Sequence, residues 1–79
     1  MFKNRSSDGK LNICGANIAT LRKQMGISQR ALADQLQLVG LDLTKNTIQQ
    51  IESKKRFVTD IEIKQIANFF EVTVDYLLK

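Results

Sequence analysis

The chain has 79 residues, of which 43% are apolar, with a net charge of +4, no histidine and one cysteine. This length allows one domain with a modest core, and the apolar fraction excludes a disordered chain. No apolar run approaches the roughly 18–20 residues that span a bilayer, and residues 1–10 lack the apolar stretch of a secretory signal. We therefore expect a cytoplasmic protein without a membrane partner, in which Cys14 is a small buried residue.

Basic residues are concentrated in the first part of the chain. Residues 1–56 carry ten Lys/Arg and four acids, a net charge of +6, whereas residues 57–79 carry two lysines and four acids, a net charge of −2. A net positive charge in residues 1–56 is typical of a protein that presents one face to a polyanion. The basic residues do not lie opposite a wide apolar stripe, which favours nucleic acid over a membrane surface.

The predicted elements begin after a polar segment. We expect residues 1–11 to form a flexible basic arm and residues 12–79 to form the folded domain. The cations of the arm could add contacts to phosphates: Lys3, Arg5 and Lys10. A first helix is predicted by apolar residues at helical spacing: Cys14, Ile18, Leu21 and Met25. Gly26 stands where such a helix ends.

The second helix is predicted to start after Ser28, a good N-cap residue. Its inner face consists of Leu32, Ala33 and Leu36. The stretch 38–43 then breaks the helical period and contains a glycine, which indicates a connection. Two interpretations of its apolar residues stay open, an extension of the second helix or a small apolar flap: Leu38, Val39, Leu41 and Leu43.

The third helix is predicted to be short, with Thr44 as its cap and with Ile48 and Ile51 facing inward. Its other face is polar and consists of Lys45, Asn46, Gln49 and Gln50. Cations at 54–56 then follow, which is favourable at the negative end of a helix dipole.

The fourth helix has the clearest start, because Thr59 and Glu62 have the spacing of a capping box. Apolar residues at i, i+3, i+4 and i+7 form its inner face: Ile63, Ile66, Ala67 and Phe70. One or two further helical turns begin at Thr73, with Val74, Leu77 and Leu78 apolar. The sequence therefore predicts an all-α chain of five helices.

Enzymatic chemistry is disfavoured by the residue types present. Histidine, the commonest general base and metal ligand, is missing. The carboxylates are spread along helix faces without metal-ligand spacing, and there is no glycine-rich phosphate loop. We expect neither a catalytic site nor a metal or cofactor.

The polar face of the third helix suits DNA. A major groove about 12 Å wide accepts one helix, and its base edges are bonded by Arg, Lys, Asn and Gln. Lys45, Asn46, Gln49 and Gln50 supply such groups near the start of the helix. The alternative is a solvated polar face on a helix of the core, and composition alone leaves both open.

Three blocks of sequence carry a family resemblance. They are IxxLRKQxGISQxxLA at 18–33, NTIQQIESKKR at 46–56 and IAxxFxVxVDYLL at 66–78. Together they resemble the phage repressor and Cro-like helix-turn-helix family, also called the XRE family, over about residues 13–78. The resemblance implies a five-helix lambda-repressor-like DNA-binding domain.

The resemblance also implies roles for individual residues. Gln29 would bond a phosphate and brace a side chain of the recognition helix. Lys45, Asn46 and Gln50 would face base edges, with Thr47 and Gln49 at the margin or on phosphate. The backbone contacts beyond the helix would come from Ser53, Lys54, Lys55 and Arg56. Such contacts fix the register on DNA, while base contacts specify sequence.

Arg22 and Glu52 match positions that form an internal ion pair in relatives. The alternative is a solvated Arg22 together with an i,i+4 pair between Glu52 and Arg56. The chain departs from the compact family form in one place. Gln37 stands where that form has a glycine, and the connection through Leu43 is roughly five residues longer. Because of this extended turn, the sequence does not determine the tilt of the third helix relative to the second.

The function implied is that of a repressor-like transcriptional regulator that binds double-stranded DNA as a homodimer on an inverted repeat. Half-sites would lie about 10 bp apart, centre to centre. Leu77, Leu78 and the end of the fourth helix are the expected dimer surface, unless these residues only close the core. An alternative function is that of an antitoxin, or another module that binds a protein partner on the same scaffold. A helical enzyme or carrier is the weakest interpretation.

Overall fold

The computed structural model describes residues 9–79, so Lys3 and Arg5 of the expected arm lie outside the described residues. Within these residues five helices follow one another: α1 Gly15–Gln24, α2 Gln29–Leu38, α3 Lys45–Glu52, α4 Asp60–Phe70 and α5 Val74–Leu77. Residues 9–79 contain no strand. The predicted all-α class and the number of helices are confirmed. None of the helices in this range is long and apolar enough to cross a membrane.

Helices α2, α3 and α4 start at the predicted capping residues. At the starts of α2 to α5 a hydroxyl oxygen accepts a hydrogen bond from the backbone N–H three residues later: Ser28, Thr44, Thr59 and Thr73. Helix α1 has no side-chain cap. Glu62 also accepts from the Thr59 N–H at 3.0 Å, which completes the predicted capping box. These bonds satisfy N–H groups that the first turn of a helix otherwise leaves unpaired.

A single core joins the five helices. Its fully buried large side chains come from every helix: Ile18, Leu32, Leu36, Ile48, Ile51, Ile66 and Leu77. Cys14 is buried with them and is 1% exposed, as predicted, and burial raises the pKa of its thiol. Met25 was predicted to face inward, but it lies at the C-cap of α1 and is 48% exposed.

The predicted dimer residues at the end of the chain separate into two environments. Leu77 is completely buried and closes the core of its own chain, so it is not available to a partner. Asn17 of α1 fixes this end by donating to the Leu77 carbonyl oxygen at 2.9 Å. Leu78 is 45% exposed and remains on the surface.

The long connection before α3 combines the two interpretations that the sequence left open, an extension of α2 and a packed apolar segment. Helix α2 continues to Leu38, and Gly40, with φ of 91°, then turns the chain away from the helix. The N–H groups of Gly40 and Leu41 donate to the carbonyls of Gln37 and Leu36, which is the Schellman pattern. Leu41 and Leu43 are buried in the core, whereas Leu38 and Val39 are exposed.

Candidate nucleic-acid interface

The outer face of α3 is a continuous polar surface. Lys45, Asn46, Gln49 and Gln50 are all exposed, while Ile48 and Ile51 anchor the opposite face in the core. Residues at i, i+1, i+4 and i+5 lie together on one side of a helix, so these four side chains share a face. Eight residues give a helix about 12 Å long, which is short enough to lie along a major groove.

Thr47 lies at the edge of this face and takes part in the cap of the helix. Its backbone N–H donates to Thr44 Oγ1 at 3.2 Å, and the two threonine hydroxyl oxygens are 3.0 Å apart. The side chain is half-buried. Its hydroxyl is therefore engaged in ordering the first turn of α3, where Lys45 and Asn46 are presented.

A carboxylate at the end of α3 ties three helices together. Glu52 accepts from Arg22 Nε at 2.7 Å and from Arg22 Nη2 at 3.1 Å. Arg22 Nη1 donates to the Ile27 carbonyl in the turn between α1 and α2 at 2.8 Å. The side chains of Arg22 and Glu52 are 12% and 8% exposed, so the internal ion pair implied by the resemblance is present.

The electrostatics of this pair are favourable in spite of the position of Glu52. A negative charge at the C-terminal end of α3 is unfavourable with respect to the helix dipole. The guanidinium of Arg22 offsets it, and the hydrogen bond to Glu52 raises the pKa of Arg22. The alternative pairing of Glu52 with Arg56 does not form, because Arg56 binds another carboxylate.

Gln29 joins the same network from the first position of α2. Its Nε2 donates to Glu52 Oε1 at 3.0 Å, so Gln29 contacts a side chain of α3. An amide carries two N–H donors and one carbonyl acceptor. The bond to Glu52 holds the side chain in place while another N–H stays available for a ligand.

Gln37 links the end of α2 to the start of α3 across the long connection. Its Nε2 donates to the Leu43 carbonyl oxygen at 3.1 Å, immediately before the cap residue Thr44. Leu41 and Leu43 are 7% and 3% exposed and anchor the same stretch from the core side. These contacts fix the extended turn against α2 and the core. They therefore determine how the start of α3 is presented, which the sequence alone left open.

The basic residues after α3 lie on a tight helix end. The N–H groups of Lys54 and Lys55 donate to the carbonyls of Ile51 and Gln50, a second Schellman pattern. Lys54 has φ of 65°, a conformation that glycine adopts with least strain. Ser53 Oγ donates to the Gln50 carbonyl at 3.2 Å. Ser53 and Lys55 are exposed beside the polar face of α3.

Arg56 has a more constrained position than its neighbours. Its Nη1 and Nη2 donate to the two carboxylate oxygens of Glu62, each at 3.0 Å, and Nη1 also donates to the Phe57 carbonyl. The bond from Arg56 holds the pKa of Glu62 below its ordinary range. The guanidinium thus braces the loop onto the start of α4, and N–H groups outside these three bonds remain for a phosphate.

Two residues that sequence reasoning assigned no role fix the end of α3. Asn12 Nδ2 donates to the carbonyls of Ile51 and Arg56 at 3.1 and 2.8 Å, and its Oδ1 accepts from the Gly15 N–H at 2.9 Å. A Cβ on Gly15 would overlap the Ile51 carbonyl oxygen, so only glycine lets α1 approach α3 this closely. The Asn-x-x-Gly spacing at 12–15 is the one sequence signal for this contact.

The arrangement as a whole presents polar groups on a rigid support. The side chains on the outer face of α3 carry ammonium and amide groups, and the residues around that face are fixed to α1, α2 and α4 by hydrogen bonds. Within residues 9–79, no group of acidic residues and cysteine is arranged to hold a metal ion. Chemically, the surface can donate to phosphates and bond the edges of bases.

Comparison with known proteins places this geometry in a family. A family model described as Helix-turn-helix (HTH_3) matches residues 18–77, from the middle of α1 to the end of α5. The chain matches no curated protein and no solved structure. The matched region contains all of α2, the connection and α3. The chain therefore belongs to the XRE-type helix-turn-helix family of DNA-binding regulators.

Proposed function

We propose that this protein is a sequence-specific, repressor-like transcriptional regulator that binds double-stranded DNA with α3 in the major groove. The observation that carries the proposal is the exposed polar face of α3 on a helix whose other face is fully buried. A helix anchored along its apolar face presents its polar face in one orientation. Membership of a DNA-binding family supports the same function.

Base edges are bonded by Lys45, Asn46 and Gln50, with Gln49 and Thr47 at the margin or on phosphate. Asn and Gln can bond adenine through two hydrogen bonds, and Lys can reach guanine. Asn46 and Gln50 are exposed and about 6 Å apart along the helix axis, a separation of between one and two base-pair steps of about 3.4 Å. The two bonds that order the first turn, between Thr44 and Thr47, support a fixed placement of Lys45 and Asn46.

Phosphates on either side of the groove are bonded by Gln29, Ser53, Lys54, Lys55 and Arg56. Gln29 lies at the start of α2, where helix N-terminal N–H groups favour an anion. Arg56 would contact phosphate through N–H groups that Glu62 does not use. The N-terminal arm adds further phosphate contacts, and the bond from the Leu11 N–H to the Lys54 carbonyl at 3.1 Å brings its last residue to this loop.

Two copies bind an inverted repeat, because a single domain of this size makes few base contacts. Dimeric helix-turn-helix proteins bind half-sites about 10 bp apart. Occupancy of such a site would block transcription from an overlapping promoter, which is the repressor-like action proposed.

The test is selection of bound duplexes from a random DNA pool, followed by affinity measurements over a range of salt concentrations. The proposal predicts enrichment of an inverted repeat and a steep linear fall of log affinity with log salt concentration. Recovery of no enriched sequence, together with a flat salt dependence, would exclude the proposal.

A further inference from the structure

The most exposed large apolar side chains of residues 9–79 lie where α2 ends and where α4 begins. Leu38 is 86% exposed, Ile61 66% and Val39 55%, and these are the three highest values among the exposed large hydrophobic residues of the described chain. Leu38 is the last residue of α2, and Val39 is its C-cap. Leu41 and Leu43, which follow, are buried in the core. Two of the four apolar residues of the connection are therefore buried and two are exposed to solvent.

A pocket lies beside these residues. It has a volume of about 510 Å³ and is lined by Val39, Ile61, Lys64, Gln65, Asn68 and Phe69. Ile61, Gln65 and Phe69 are four residues apart, so they form one stripe along α4. The pocket is apolar at both ends of that stripe and has room for an aliphatic side chain.

The protruding side chain and the pocket belong to neighbouring parts of the same surface. Leu38 adjoins Val39, and Val39 lines the pocket. In a twofold symmetric contact, a residue i of one chain meets residue j of the other, and j meets i. A surface that carries a protruding apolar residue next to an apolar pocket can therefore fit a second copy of itself, with two equal insertions.

Charge complementarity supports a second copy as the occupant. Asp34 is exposed and lies one helical turn before Leu38 on the same side of α2. Lys64 is exposed and lines the pocket. The ion pairs formed within residues 9–79 are Arg22–Glu52 and Arg56–Glu62, so neither Asp34 nor Lys64 is paired within this part of the chain.

We propose that two copies of this chain associate by inserting Leu38 of each into the α4 pocket of the other, with Asp34 of each paired to Lys64 of the other. None of the pocket residues belongs to the polar face of α3, so both α3 faces stay accessible to DNA. The inference goes beyond the proposed function, because it concerns association in the absence of DNA and fails or holds independently of base recognition.

The experiment is sedimentation equilibrium of the full chain without DNA, with circular dichroism to confirm that each variant is folded. Leu38→Glu should raise the dimer dissociation constant by at least about tenfold, as expected for a central apolar anchor. Asp34→Lys and Lys64→Glu should each weaken the dimer. The double variant Asp34→Lys/Lys64→Glu should restore a dissociation constant close to that of the unchanged protein, because it only exchanges the two charges.

Met25→Glu is the matched control, since it also places a carboxylate at an exposed apolar residue, and Met25 does not line the pocket. It should leave the dimer unchanged. A monomer at millimolar concentration would overturn the proposal, as would a dimer that is insensitive to Leu38→Glu. Additive weakening in the double charge variant, instead of rescue, would also overturn it, and so would a dimer that is broken by Met25→Glu alone.

Discussion

Arg22 of α1 and Glu52 of α3 are joined by a bidentate, mostly buried ion pair, with Arg22 Nε 2.7 Å from Glu52 Oε2. The same carboxylate accepts from Gln29 of α2, so α1, α2 and α3 meet at one acidic side chain. The pair lies behind the polar face of α3 and fixes the end of that helix against its neighbours. The pair therefore fixes the orientation of the proposed DNA-binding face of α3 as well as stabilising the fold.

Removing one partner of this pair should destabilise the protein strongly. Arg22→Met or Glu52→Gln leaves the other charge buried, which should lower the free energy of unfolding by about 3 kcal/mol. The double variant should lose much less than the sum of the two single losses, because it leaves no unpaired charge. Urea denaturation of the four proteins measures the coupling. Additive single effects would contradict the assigned pair.

Lys54 and Glu71 form a natural comparison, because both end a helix with a positive φ, of 65° and 59°. Glycine relieves the strain at such a position, so Lys54→Gly and Glu71→Gly should each raise the free energy of unfolding by about 1 kcal/mol. Only Lys54→Gly should also weaken DNA binding, because it removes a proposed phosphate contact. Thermal unfolding and a DNA titration distinguish the two effects.

Two outcomes would contradict this prediction. If Lys54→Gly is stabilised and binds DNA as tightly as Glu71→Gly does, then Lys54 has no phosphate contact. If both glycine variants are less stable than the unchanged protein, the strain assigned to the two helix ends is wrong.

Gln37 should control how the start of α3 is presented. Gln37→Met keeps the shape of the side chain but removes the bond to the Leu43 carbonyl, at a cost of about 1 kcal/mol. We expect base preference to relax at the positions contacted by Lys45 and Asn46 and to persist where Gln50 binds. Gln37→Arg keeps an N–H donor and should retain the preference. Selection of bound sequences with each variant measures this, and unchanged preference in Gln37→Met would refute the role.

The Arg56–Glu62 pair should make stability depend on acid pH. The pKa of Glu62 is lowered, first by the hydrogen bond from Arg56 and then by the backbone of Thr59. Its contribution to folding is therefore complete above the ordinary glutamate pKa of about 4.3, and it disappears as the pH falls through the lower folded value.

Glu62→Gln isolates this contribution, because glutamine still completes the capping box at Thr59. The variant should be less stable than the unchanged protein at pH 7, and the difference should shrink as the pH falls below the ordinary range of glutamate. Urea denaturation at several pH values measures it. A difference that is constant across this range would show that Glu62 acts through shape and not charge.

The sequence predicts those features that depend on neighbouring residues in the chain. The caps at Ser28, Thr44 and Thr59 follow from short-range hydrogen bonds, and Gly26, with φ of 71°, ends α1 as expected. The internal ion pair of Arg22 was implied by family resemblance, because nothing in its local sequence specifies a partner thirty residues away.

Contacts between distant residues account for what the sequence did not predict. Asn12 bonds carbonyls 39 and 44 residues further along, and periodicity carries no information about such pairs. Met25 matches the apolar spacing of α1, but the helix ends before it and the side chain remains exposed. Arg56 is a residue type that often binds phosphate, but its pairing with Glu62 depends on how the loop folds onto α4.

The most direct test of DNA recognition by α3 compares Gln50→Ala with Lys55→Ala on a selected duplex and on its single-base variants. Gln50→Ala should cost about 1–3 kcal/mol on the preferred duplex and remove discrimination at one base pair. Lys55→Ala should weaken all duplexes about equally and reduce the salt slope by about 1. If instead Gln50→Ala weakens all duplexes equally and discrimination is unchanged, α3 does not specify the sequence.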